Sequence, residues 1–94
     1  MADELTPAFF APLVGSEFTT DTGPLMLDSL TEHAPSPGAP RAQPFSLMFL
    51  GEAGAQWPQQ IYALQHPVAG QLHIFLVPVG PRSDGRSQFE AVFN

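Results

Sequence analysis

Three segments near the C-terminus decide the fold: QIYALQH (60–66), QLHIFLVPV (71–79) and RSQFEAVF (86–93), separated by PVAG (67–70) and GPRSDG (80–85). Each is short, rich in β-branched and aromatic residues, and bounded by Gly or Pro, the signature of strands in an antiparallel meander. The loop lengths then predict the pairing. With Pro67 to Gly70 as a four-residue loop, His66 faces Gln71, Leu64 faces His73 and Tyr62 faces Phe75. With Gly80 to Gly85 as the next loop, Val79 faces Arg86, Phe75 faces Glu90 and His73 faces Val92. Strand side chains alternate between faces. One face therefore collects Ile61, Ala63, Leu72, Ile74, Leu76, Phe89, Ala91 and Phe93, and is read as core. The other collects Tyr62, Leu64, His66, His73, Phe75, Val77, Gln88, Glu90 and Val92.

That second face is too apolar for ordinary solvated surface and too polar for a dry interior. Two expectations follow. Either the N-terminal segment with Phe9 and Phe10, or the loop carrying Trp57, covers it, or it packs against another subunit or partner. The predicted interaction face is Tyr62, Leu64, Phe75, Val77 and Val92.

Upstream, Thr6 before Pro7 is a helix-start pair, a capping hydroxyl ahead of a proline at the first helical position. Pro12 and Gly15 stop that helix after one or two turns, leaving a plug or lid. SEFTT (16–20) and PLMLDSLTE (24–32) flank Asp21-Thr22-Gly23 and read as a first hairpin. Leu25 and Leu27 share a face while Leu30 breaks the alternation, which predicts a bulge near Asp28 or Ser29. Residues 33–44, HAPSPGAPRAQP, form a Pro-rich connector of polyproline character, an SH3-type ligand by composition alone. FSLMFL (45–50) is a strand apolar on both faces apart from Ser46, and GEAGAQWPQ (51–59) is an irregular loop with the single Trp. Six antiparallel strands and a short N-terminal helical segment in one domain, residues 1–94, predict an all-β meander forming a small barrel or a two-layer sandwich.

Composition excludes several functions. Nine acids against three Arg and no Lys give a formal charge of −6, so neither nucleic acid nor an anionic membrane surface is expected as a partner. There is no Cys, hence no disulfide framework, thiolate metal site or cysteine nucleophile. No Lys is available for Schiff-base chemistry, no Gly-rich phosphate loop opens a helix, and no strand-to-helix elbow surrounds any serine. The chain is therefore read as non-enzymatic, with no cofactor. The alternative is a small-ligand or metal-binding barrel, since His66, His73 and Glu90 fall on one face in the predicted register, two imidazoles and a carboxylate. The acidic N-terminus MADELTPAFF lacks the cationic start of a secretory signal, which predicts a cytoplasmic protein or export without a Sec-type signal as part of an assembly.

FAPLVGSEF (Phe10 to Phe18), PFSLMFLG (44–51), PQQIYALQHPVAGQLHIFLVPVG (58–80) and the closing FEAVFN (89–94) together resemble a family of short bacterial domains of unknown function. Members of that family look like genomic neighbours of phage-tail-collar and microcystin-dependent, tail-fibre-like proteins. The resemblance spans most of the chain outside the Pro-rich segment and implies an accessory role near such assemblies, through a protein partner or self-association. It carries over no catalytic or binding residues.

Overall fold

Residues 5–34 and 44–93 are described by a computed structural model. Thr6 caps α1 (Pro7–Phe10): its Oγ1 accepts the Phe9 N–H at 3.2 Å, and Pro7 sits at the helix start, where no N–H is needed. A 3-10 turn, Ala11–Leu13, follows, and Gly15, at φ 92°, turns the chain toward β1 (Glu17–Thr19). The remaining strands are β2 (Pro24–Glu32), β3 (Phe45–Ala53), β4 (Gln60–His66), β5 (Gly70–Pro81) and β6 (Arg86–Phe93). All pair antiparallel and close into a barrel in the order β1-β2-β3-β6-β5-β4. The barrel-or-sandwich question thus resolves to a closed barrel.

Two sequentially paired runs, β1-β2-β3 and β4-β5-β6, are joined along β3–β6 and closed by a seam whose register is the single pair Thr19↔Gln65. Because β3 and β4 are not neighbours, residues 54–59 must cross one mouth of the barrel. Trp57 in that crossing packs on Tyr62 and Phe89, ring centroids 5.4 and 5.2 Å away, and closes the mouth. At the other end α1 sets Phe10, fully buried, 6.0 Å from both Phe45 and Phe93. Between these plugs lies one core that includes Phe18, Leu25, Leu27, Leu47, Phe49, Leu64, Ile74 and Leu76. The register of β2 against β3 shifts between Leu27 and Ser29, so the bulge falls at Asp28 as the alternation predicted. The Pro-rich stretch lies outside the described residues except at its ends, where the His33 N–H donates to the Pro44 carbonyl at 2.8 Å.

The predicted pairing of β4 with β5 needs correction by one residue. His66 pairs with Gly70, Leu64 with Leu72 and Tyr62 with Ile74. The cause is the His66 ring: its Nδ1 accepts the N–H groups of Val68 and Ala69 at 3.0 and 3.2 Å, tightening the loop to Pro67–Ala69. Gly70, at φ 79°, then takes the first position of β5 in a conformation that other residues resist. A one-residue slip inverts every side chain of the strand. Tyr62 and Leu64 point inward and are buried, and Ile61 and Ala63 turn outward.

The β5–β6 turn is also tighter than predicted. Val77 pairs with Glu90 and Pro81 with Ser87, leaving Arg82–Gly85 as the loop. This displacement near Phe75 is two residues, an even number, so the facing of β5 and β6 stands as read from the sequence. Arg82 pairs with Asp84 inside the loop and, at 3.5 Å, with Asp28 on β2. The hairpin thereby reaches back across the outward side of β3, where Leu50 is fully buried although it faces away from the core.

Candidate functional site

On the outer wall formed by β4, β5 and β6, Ile61 pairs with Phe75. The β5–β6 register, continued from Val77↔Glu90, sets Phe75 opposite Val92. These three side chains form a row across three strands and are 64%, 47% and 52% exposed. Val77, half-buried, and Glu90 flank the row on one side; Ala63 and His73 flank it on the other. Among the described residues, the His73 ring has one side-chain partner, the neighbouring Gln71 at 3.5 Å. The wall carries one carboxylate, and both described arginines are engaged elsewhere, Arg82 with Asp28 and Asp84, Arg86 with the Gly51 carbonyl.

Of the predicted interaction residues, Phe75, Val77 and Val92 lie on this wall. Tyr62 and Leu64 do not. Tyr62 is part of the core lid, its hydroxyl donating to the Pro58 carbonyl at 2.5 Å, and burial raises its pKa above the ordinary phenol value against the lowering effect of Gln60. Ile61, the most exposed member of the row, takes their place. Its omission followed directly from the register: β4 carries apolar residues at both parities, so alternation could not choose between Ile61/Ala63 and Tyr62/Leu64. The available signal was His66, a loop-capping side chain adjacent to Pro67.

The proposed metal trio is not assembled. His66 projects to the inner side of the wall, 4.7 Å by ring centroid from Phe18 and 3.0 Å from Ser16 Oγ, whereas His73 and Glu90 face outward. The Ser16 hydroxyl donates to the Leu13 carbonyl, so it accepts from His66 Nε2–H, while Nδ1 receives two amides. Both ring nitrogens are thereby occupied, with no lone pair left to offer a metal. Among the described residues no group of three or more His, Asp or Glu is placed to hold a metal ion.

Comparison with known families adds one result. The sequence profile of a domain of unknown function, DUF6916, matches residues 5–93. The chain belongs to the DUF6916 family. The DUF6916 match runs from Leu5, which packs against the core, to Phe93, which closes β6, and so covers the whole barrel with both plugs. No curated protein and no solved structure was found to match this DUF6916 chain.

Proposed function

We propose that this chain is a non-enzymatic interaction module that docks another protein through the outer wall of β4–β6, with Ile61, Phe75, Val77 and Val92 as the contact. The observation that carries this reading is the row of three large apolar side chains, contributed by three adjacent strands and exposed together. The row is made of outward side chains, so the contact it offers is side-chain packing rather than strand addition. The chemistry of the partner follows from charge. The chain carries −6 overall and the wall itself bears Glu90 and no described cation, so the complementary surface is apolar with a rim of Lys or Arg. Pairing two copies through this wall would instead bring like charges together.

The setting we propose is an accessory position in a tail-fibre-like assembly; its support is the resemblance to genomic neighbours of such proteins. The test is light scattering on the purified protein, alone and mixed with the products of adjacent genes. A complex with one of them, weakened at high salt and abolished by Phe75→Asp while the melting temperature holds, is the expected outcome. A complex indifferent to Phe75→Asp, or loss of folding in that variant, removes the proposal.

A further inference from the structure

A second surface lies at the Trp57 end of the barrel. Between the mouth-crossing loop and the β5–β6 arm is an open cleft of about 750 Å³. Its lining includes the rings of Trp57, Pro58, Pro78, Pro81 and Phe89 together with Ser87, and no charged residue among the described ones lines it. The Trp57 ring is held by its contacts with Tyr62 and Phe89, yet the residue is only half-buried, and its indole N–H donates to no acceptor among the described residues. Trp57 also lines a smaller hollow together with Glu52, and the Glu52 carboxylate is exposed, with no ion pair among the described residues.

These features suit one class of ligand. A polyproline segment has no internal hydrogen bonds, so its carbonyls are free, and its fixed backbone docks on aromatic-lined grooves with little entropy to lose. A groove of rigid apolar walls offering a donor is what such a ligand requires. The chain itself carries a matching sequence: within HAPSPGAPRAQP (33–44), Pro37-Gly38-Ala39-Pro40 repeats proline at a spacing of three and is followed directly by Arg41. The guanidinium of Arg41 supplies the partner that Glu52 lacks.

That segment cannot serve its own barrel. Its ends are pinned together by the His33–Pro44 hydrogen bond at the start of β3, while the cleft opens beyond the end of β3. Eight steps along β3 measure about 26 Å, whereas residues 34–43, going out and back, reach at most about 17 Å. We propose that the Trp57 cleft binds residues 33–44 of a second copy of this chain, with Pro37 and Pro40 against the Trp57, Phe89 and proline walls and Arg41 on Glu52. The contact is heterologous, one end of a barrel meeting the opposite end of the next, so it propagates into open chains or closes into rings. It is independent of the β4–β6 wall, and unlike a wall-to-wall pairing it brings a cation to an anion.

Trp57 is the only Trp in the sequence, so its fluorescence reports directly on the cleft. A synthetic 33–44 peptide titrated into the full chain should give a saturable change. A peptide with Ala at Pro37 and Pro40, or the full chain carrying Glu52→Gln, should bind at least about tenfold more weakly. In sedimentation, the wild-type mass should rise with concentration, fall back to monomer when 35–43 is replaced by Gly and Ser, and be unaffected by Phe75→Asp. No saturable signal at millimolar peptide overturns the site. Equal binding of an unrelated proline peptide without Arg, or a wild-type chain that stays monomeric at every concentration, overturns the assignment to a second copy.

Discussion

Three side chains on one β-ribbon show how much rests on the last residue of β4. His66 captures the amides of Val68 and Ala69, and through the register this fixes Tyr62 inside and Ile61 outside. Phe75→Asp should therefore leave the melting temperature nearly unchanged, while Leu64→Asp, which buries an unpaired carboxylate, should abolish the cooperative transition in calorimetry. Tyr62→Phe removes the hydroxyl's hydrogen bond to the Pro58 carbonyl and its interaction with the Gln60 side chain, and should cost about 0.5–1.5 kcal/mol in urea denaturation. Asp84 gives a pH signature. Its hydrogen bond to Arg82, with the Arg86 N–H next, holds it down to about 2 from an ordinary 3.8. A depressed carboxylate stabilises the fold above its unfolded value, and that contribution disappears as pH falls from 3.8 through 2. Melts of wild type and Asp84→Asn should accordingly differ at pH 6 and converge toward pH 2.

Among the elements, α1 and β6 have different weights. α1 is a single helical turn whose contribution is Phe10, set between Phe45 and Phe93 at the mouth of the barrel. Phe10→Ala should cost about 3–5 kcal/mol by chemical denaturation yet leave the strands paired, because the ring seals an end rather than joining two runs of sheet. β6 is the join. It alone links β3 to β5, and it contributes Phe89, Ala91 and Phe93 to the interior or its edge. Removing residues 89–94 leaves β1-β2-β3 and β4-β5 joined only at the Thr19↔Gln65 seam, and no cooperative melt should survive. At this scale the sequence was informative: the helix cap, the bulge at Asp28 and the facing of β5 and β6 were legible because each rests on local chemistry. The facing of β4 was not, since IYAL is apolar at both parities and only the loop geometry at His66 separates them.

For the whole molecule, the governing quantities are net charge and the exposed wall. With a pI near 4.6, the net-charge repulsion between copies at neutral pH vanishes in mild acid, while Ile61, Phe75 and Val92 stay exposed. Turbidity should peak close to pH 4.6 and be reduced in Phe75→Asp, which replaces an apolar contact by a charge. A peak of the same height in both proteins would detach the wall from association. Barrel closure also explains why the wall and the Trp57 cleft are separate surfaces: one is built from the outward side chains of three strands, the other from the ends of β5 and β6 and a loop forced across the mouth by the β3-to-β4 connection.

By itself the sequence determined the strand count, the antiparallel pairing, the helical plug and the acidic, Cys-free and Lys-free character that excludes whole classes of chemistry. Those properties come from backbone preferences, turn residues and composition, which act over a few residues at a time. Tertiary structure alone decided that the sheet closes, that β3 lies beside β6, that Trp57 lids the mouth and that Ile61 rather than Tyr62 meets solvent. The first three depend on contacts between segments far apart in the chain, which no local pattern encodes; the last depends on His66 claiming two loop amides, a local contact that apolar alternation does not display.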